Sequence, residues 1–253
     1  IDDILKLSPI FRILIAGLSG ALIFTLSNQF TFISQPIFYL VCCLFFAIIC
    51  IGFTNTLNFY DGNDLNIACL IFISGIILLL NQNELGYTFK YLGTTLMGIS
   101  IGFGLINRKP LSLYWGDSGS FALAAIFTLL LVLSFFGNSQ IPIEIFIPLT
   151  LPIFDVFYVI LIRIHKKHNL LSRNYLHLYQ RLFIRFGSPI HLLPQVLQSI
   201  LVISIFKYLI FLGLSKILSI TVSTFLITPI SYILIRRNYV EQKYFFGDGQ
   251  SEE

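Results

Sequence analysis

Uncharged apolar runs about as long as a bilayer is thick recur along the whole sequence, and they constrain the fold more than any motif does. Residues 36–53, 120–137 and 217–235 hold no Asp, Glu, Lys or Arg at all. A helix rises about 1.5 Å per residue, so about 20 apolar residues cross a hydrocarbon core about 30 Å thick. Inside lipid each backbone N–H and C=O must be bonded within its own segment, which makes such runs helices. Runs near residues 10–27, 36–53, 65–80, 91–106, 120–137, 143–164, 192–213 and 217–235 predict about eight spans. The expected fold class is an all-α, polytopic transmembrane helical bundle forming a single domain over residues 1–253. Composition agrees: 11% charged residues against 56% hydrophobic is about half the ~25% charge of a soluble domain and excludes a water-soluble fold.

Charge placement orients the bundle. Eight spans put residues 1–9, 54–64, 107–119, 165–191 and 236–253 on one side, and that side, with the span ends facing it, holds 13 of the 16 Lys and Arg. The positive-inside rule makes it cytoplasmic. A net charge of +4, dispersed over many loops, gives no reason to expect nucleic acid as a partner; membrane lipids are the expected surroundings. Cys42, Cys43, Cys50 and Cys69 all lie in apolar runs, without the spacing of a disulfide framework or a zinc site. The sequence opens on Ile1 with no Met and no signal pattern, and reads as a chain lacking its natural start.

The acids sort as the bases do. Asp2, Asp3, Asp61, Asp64 and Asp117 all fall on the predicted cytoplasmic face. Like charges gathered at a lipid boundary repel unless a cation sits among them, and hard divalent ions take oxygen ligands, so a Mg²⁺ or Mn²⁺ site is expected. Ordinary loop solvation is the alternative. In Asn58-Phe59-Tyr60-Asp61-Gly62-Asn63-Asp64 the glycine permits positive φ between two carboxylates, letting both aim at one centre. In Gly116-Asp117-Ser118-Gly119-Ser120 a turn before a helix frees amides for phosphate oxygens while the acid holds a metal.

Two further features stand out. Asp155 follows Pro152 in an otherwise apolar run and lies eight residues before Arg163. An intramembrane carboxylate suggests function, with capping of groups freed by the proline as the bland alternative. About 12 Å of helix separates Asp155 from Arg163, so Asp155 must find its partner on another span. The loop from His165 to His191 carries Lys166, Lys167, Arg173, Arg181 and Arg185 among histidines and aromatics. Anionic headgroups or a phosphate-bearing substrate would each explain it. A secondary transporter is a competing reading, resting on Asp155 and on Gly98 and Gly102, although glycines four apart more often serve helix packing.

In order, these motifs resemble those of the polyprenyl-phosphate N-acetylhexosamine-1-phosphate transferases, a family that includes the phospho-MurNAc-pentapeptide translocase. The resemblance rests on Asp2-Asp3, Asn58 to Asp64, Gly116 to Ser120, Pro152 to Asp155 with Arg163, and the basic loop Arg173 to Arg185. It implies transfer of a sugar-1-phosphate from a UDP-N-acetylhexosamine to polyprenyl phosphate, with release of UMP, as a first membrane step of cell-envelope polysaccharide synthesis. It also implies about two spans upstream of Ile1. Asp117 is the implied Mg²⁺ ligand, with Asp64 second. Asp2, Asp3, Asp61, Asp64 and His177 are the implied catalytic set, Asn58, Arg173, Arg181 and Ser120 the implied substrate contacts, and Asp155 a support. Two departures are visible: His177 stands alone where the family often has several histidines, and Leu65 replaces the usual glycine after Asp64, tightening that turn. A non-catalytic relative acting as a scaffold stays open as an alternative. Which amino sugar is moved is not written in the sequence, and neither is oligomeric state, a homodimer included.

Overall fold

A computed structural model describes residues 8–27, 35–81, 87–108, 110–111, 113–136, 141–167 and 177–239. Asp2, Asp3 and Arg173 lie outside the described residues. Described in chain order are α1 (Pro9–Ser27), α2 (Pro36–Tyr60), α3 (Asn66–Leu80), α4 (Tyr87–Ile106), α5 (Gly116–Phe136), α6 (Ile147–His165), α7 (Leu178–Phe186), α8 (Leu193–Phe211) and α9 (Lys216–Tyr239). Short 3-10 turns, Ile143–Phe146 and Ile190–Leu192, lead into α6 and α8. Among the described residues there is no strand, and the fold is an all-α polytopic bundle. Among the described residues seven helical segments are long and apolar enough to cross a membrane, while the eighth apolar run is the shorter α3.

Local chemistry sets the ends of these helices. Pro36, Pro148 and Pro194 stand in the first turns of α2, α6 and α8, where a missing N–H costs nothing. Gly187 and Gly213, with φ of 70° and 87°, follow α7 and α8 and let the chain leave the helical path.

Small residues set the helix spacing. A Cβ built on Gly20 of α1 would lie 2.3 Å from the Phe46 carbonyl oxygen of α2. Gly75 of α3 and Gly93 of α4 face one another, each backbone oxygen within 3.0 Å of the other's would-be Cβ. Close backbone approach of this kind is how apolar helices gain packing where lipid offers no hydrophobic drive. The pair singled out by spacing, Gly98 and Gly102, meets nothing within 4 Å. Its expected packing role inside this chain is therefore corrected: the packing glycine of α4 is Gly93, one turn earlier.

The main core lies along α2. Phe24, Phe46 and Phe136 form an aromatic knot joining α1, α2 and α5, with ring centroids 5.3 to 5.9 Å apart. A smaller cluster of Leu151, Leu178, Leu182 and Tyr232 joins α6, α7 and α9. Large residues such as Leu26, Ile37, Phe211 and Phe225 point outward, as lipid-facing side chains do.

Candidate active site

The turn between α2 and α3 and the start of α5 are held together by one carboxylate. Asp61 ends α2, and its Oδ2 accepts the backbone N–H of Gly116 at 2.8 Å. Gly116 has a φ of 64°, a conformation that suits glycine. Gly119 gives the indole of Trp115 room to fold over the helix start, since a Cβ there would lie 2.7 Å from that ring. An amide expected from the sequence to be open to phosphate is thus engaged by Asp61.

Asp61 is buried, and its Oδ1 has no hydrogen-bond partner among the described residues. Burial pushes its carboxyl up to about 6, against the lowering effect of the Gly116 and Trp115 amides; the charge of Asp117 adds to the rise. Asp117, half-buried in the first turn of α5, sets its Oδ2 2.8 Å from Nη1 of Arg12 on α1. Asp64 is buried nearby. Tyr114 joins the group: burial and then the charges of Asp64 and Asp61 push its phenol above the ordinary range.

These placements narrow the metal expectation. Among the described residues no three His, Cys, Asp or Glu side chains gather as a metal cluster; Asp2 and Asp3 of the expected carboxylate group lie outside those residues. Mg²⁺ commonly takes only one or two carboxylates and completes its shell with waters and phosphates. Asp61, with a buried orphaned oxygen, and Asp117, with a half-open carboxylate, offer hard oxygen donors of that kind.

Two further expectations are revised by the placements. Gly62 does not take a positive φ; Leu65 does, at 66°, so the left-handed position of the turn falls where the family usually has glycine. What Gly62 supplies is space, since the Phe59 oxygen and the Tyr179 hydroxyl lie 3.3 and 3.5 Å from its would-be Cβ. Ser120 is fully buried and its hydroxyl has no partner among the described residues, so it sits beneath the turn and not on a substrate-facing surface. His177 is also buried, with Nδ1 2.9 Å from Asp155 Oδ2.

The segment after α6 is laced onto the turn after α2. The Tyr179 hydroxyl donates to the Phe59 carbonyl, and Asn63 Nδ2 donates to the Tyr179 carbonyl at 3.2 Å. The His177 ring stacks on Phe59 and Tyr179, with centroids 5.2 and 5.5 Å apart. Asn66 bridges the Tyr60 carbonyl and His191 Nε2, at 3.1 and 3.0 Å. Asn58 lies half-buried in the last turn of α2, and Arg181 half-buried on α7. Beside them a cleft of about 430 Å³ is lined by Asp64, Leu65, Arg108, Phe183, Gly187, Ser188 and Pro189. A carboxylate and a guanidinium facing one cleft suit a ligand bearing both anionic and hydrogen-donor groups.

Asp155 is the best-anchored acid. Oδ1 accepts the Leu178 N–H at 2.9 Å and the Tyr232 hydroxyl at 2.7 Å, while Oδ2 faces His177. Sequence reasoning overlooked Tyr232, treated Arg236 only as one more base, and had no role for Arg12, Arg108, Tyr179 or His191. The one signal available was that Tyr232 and Arg236, four apart in an apolar run, share a helix face.

Residues 1–135 match the family described as Glycosyl transferase family 4. The chain is similar to phospho-N-acetylmuramoyl-pentapeptide-transferases of several bacteria. It is 36% identical to that of Streptococcus pyogenes serotype M6 over 99 residues, 37% of this chain and 27% of the relative. It is 35% identical to that of Latilactobacillus sakei over 83 residues, 32% and 25% of the two chains. With that of Limosilactobacillus reuteri the identity is 36% over 87 residues, 32% and 27% of the two. The matched stretch therefore spans about a quarter of each relative's length. No solved structure matches.

Proposed function

Because the chain belongs to glycosyl transferase family 4, the polyprenyl-phosphate hexosamine-1-phosphate transferases, we propose that it builds a membrane-bound polyprenyl diphosphate sugar. An oxygen of polyprenyl phosphate attacks the sugar-bearing phosphorus of a UDP-N-acetylhexosamine. A new P–O bond forms to that phosphorus, its bond to the bridging oxygen of the diphosphate breaks, and UMP departs carrying that oxygen. The chemistry runs at the cytoplasmic face of a bacterial inner membrane.

The observation that carries this reading is the Asp61–Gly116 contact, which sets two family motifs side by side with Asp117 next to them. The attacking phosphate and the donor diphosphate are both anions, so the site must supply cationic charge and fixed orientation. Asp117 and Asp61 hold Mg²⁺ or Mn²⁺ in this proposal, and Asp64 stands close behind. When bound, the metal neutralises the diphosphate oxygens as a Lewis acid. Arg108 and Arg181 orient phosphate oxygens with planar forks suited to that task, and Asn58 steers the nucleotide side. Asp2, Asp3 and Arg173 are assigned to the lipid-phosphate approach. A dedicated base is dispensable there, because a phosphate monoester is largely dianionic at neutral pH. Asp155, on which the transport reading rests, is bonded on both oxygens and bridges α6 to α7 and α9.

The test is UMP release in detergent with undecaprenyl phosphate, Mg²⁺ and a panel of donors: UDP-GlcNAc, UDP-GalNAc and UDP-MurNAc-pentapeptide. Release that requires both the lipid phosphate and the divalent ion supports the proposal. No release with any donor sinks it.

A further inference from the structure

Helix α9 lies outside the stretch that matches the family, yet it supplies two of the groups around Asp155. Arg236 Nη1 donates to the Tyr232 hydroxyl oxygen at 2.7 Å, and that hydroxyl donates to Asp155 Oδ1 at 2.7 Å. Arg236 Nη1 is itself 3.9 Å from Oδ1. Across the same carboxylate, Oδ2 faces His177 Nδ1 and Oδ1 caps the first amide of α7 at Leu178. Arg236 and Tyr232 are fully buried, and Asp155 and His177 nearly so, at 2% and 3% exposure. The guanidinium lies against the Tyr158 and Tyr232 rings, 5.2 and 5.8 Å from their centroids.

Resting on the transferase reading above, we infer that Tyr232 and Arg236 are positioning residues that fix His177 through Asp155. The physical reason is directional. A carboxylate left to itself rotates and accepts from whatever is near, whereas one whose Oδ1 is held by Tyr232 and the Leu178 amide presents Oδ2 in a single direction. A carboxylate facing Nδ1 makes that nitrogen the donor and leaves Nε2 as the ring's acceptor. The stack between Phe59 and Tyr179 then fixes the plane of the ring. Arg236 completes the chain by drawing electron density from the Tyr232 oxygen, which strengthens the donation to Asp155. Burying an arginine is costly; here the cost maintains the orientation of one imidazole.

The experiment is a double-mutant cycle in the full chain, read by UMP release and by the rate at which diethylpyrocarbonate modifies His177, followed by mass spectrometry. Tyr232→Phe keeps the ring and its contacts and removes only the relay hydroxyl. The expected result is a loss of about tenfold in kcat with KM for the UDP-sugar nearly unchanged, and an effect under about twofold in a His177→Asn background, as for coupled residues. The modification rate of His177 is expected to rise severalfold in Tyr232→Phe and in Arg236→Gln, and to stay near wild type in Arg236→Lys. Equal losses with and without His177, or an unchanged modification rate, overturn the inference. A wild-type protein that releases no UMP overturns the transferase reading instead, and the His177 modification rates then decide the relay alone.

Discussion

Arg12, near the start of α1, and Asp117, in the first turn of α5, form an ion pair of 2.8 Å although they lie far apart in the sequence. The carboxylate assigned to the metal is thus already faced by a cation belonging to the chain. A divalent ion bound at Asp117 sits beside that guanidinium and is repelled by it. Half-exposed pairs are worth ~0.2–1 kcal/mol, so Arg12→Gln is expected to lower the Mg²⁺ concentration for half-maximal UMP release by roughly 1.4- to 5-fold. A Mg²⁺ titration of the variant checks this, and an unchanged or higher half-saturation contradicts it.

Asp117→Asn is expected to abolish Mg²⁺-dependent turnover while the protein inserts and melts as wild type does. The change removes a donor from a half-exposed turn and leaves the core untouched. Retention of a large fraction of activity at ordinary Mg²⁺ shows that the ligand is another residue.

Asp61 gives a pH signature. Its folded carboxyl titrates at about 6, above the ~3.9 of an unfolded aspartate, so between those values the folded state holds a proton that the unfolded state has released. Stability therefore falls as pH rises from about 4 to about 6, and the penalty is fully present above that window. With metal removed by EDTA, Asp61→Asn is expected to melt higher than wild type at pH 7.5, with about half of that advantage gone at pH 5 and most of it gone at pH 4. A constant difference between the two proteins across this range rules out Asp61 as the titrating group.

Asp155→Asn keeps hydrogen bonding to its neighbours and loses the charge, so reduced turnover with normal expression is expected. Asp155→Leu removes the carboxylate that the Leu178 amide, the Tyr232 hydroxyl and His177 all meet, and breaking a buried pair costs about 3–5 kcal/mol. Both expression and turnover are expected to drop. Fluorescence-detected size exclusion alongside the UMP assay separates the two effects, and a Leu variant that inserts and turns over normally removes Asp155 from the site.

Gly20→Ala is expected to lower stability by about 1–3 kcal/mol, the usual cost of overpacking, because its Cβ meets the backbone of α2. Gly52→Ala, where a Cβ meets nothing within 4 Å, is the control. Equal melting temperatures for the two variants in detergent contradict the packing role of Gly20.

Much of the bundle was readable because lipid imposes one rule on every apolar run. All eight predicted runs are helical in the fold, and α3 is the run that comes out short. The motifs around Asp61 and Asp117 were readable as candidates, since glycines and acids in short turns between apolar runs have few structural uses. What composition and spacing could not supply was who partners whom. Nothing in the sequence says that the Gly116 amide turns to Asp61 or that Arg12 reaches Asp117, because such contacts depend on the angle at which helices cross. The positive φ belonged to Leu65 and not to Gly62 for a related reason: the turn needs its left-handed residue directly before α3, where the Leu65 amide donates to Asn107 Oδ1. Ser120 looked exposed in a polar motif, yet one turn into α5 it faces the core.

Helix α9 is synthesised after every other described helix, and chains fold from the N-terminus as they emerge. Until it arrives, Asp155 and His177 face each other without the hydroxyl and guanidinium that steady them. Helix α9, the last of the described helices to be made, thus completes the arrangement around His177.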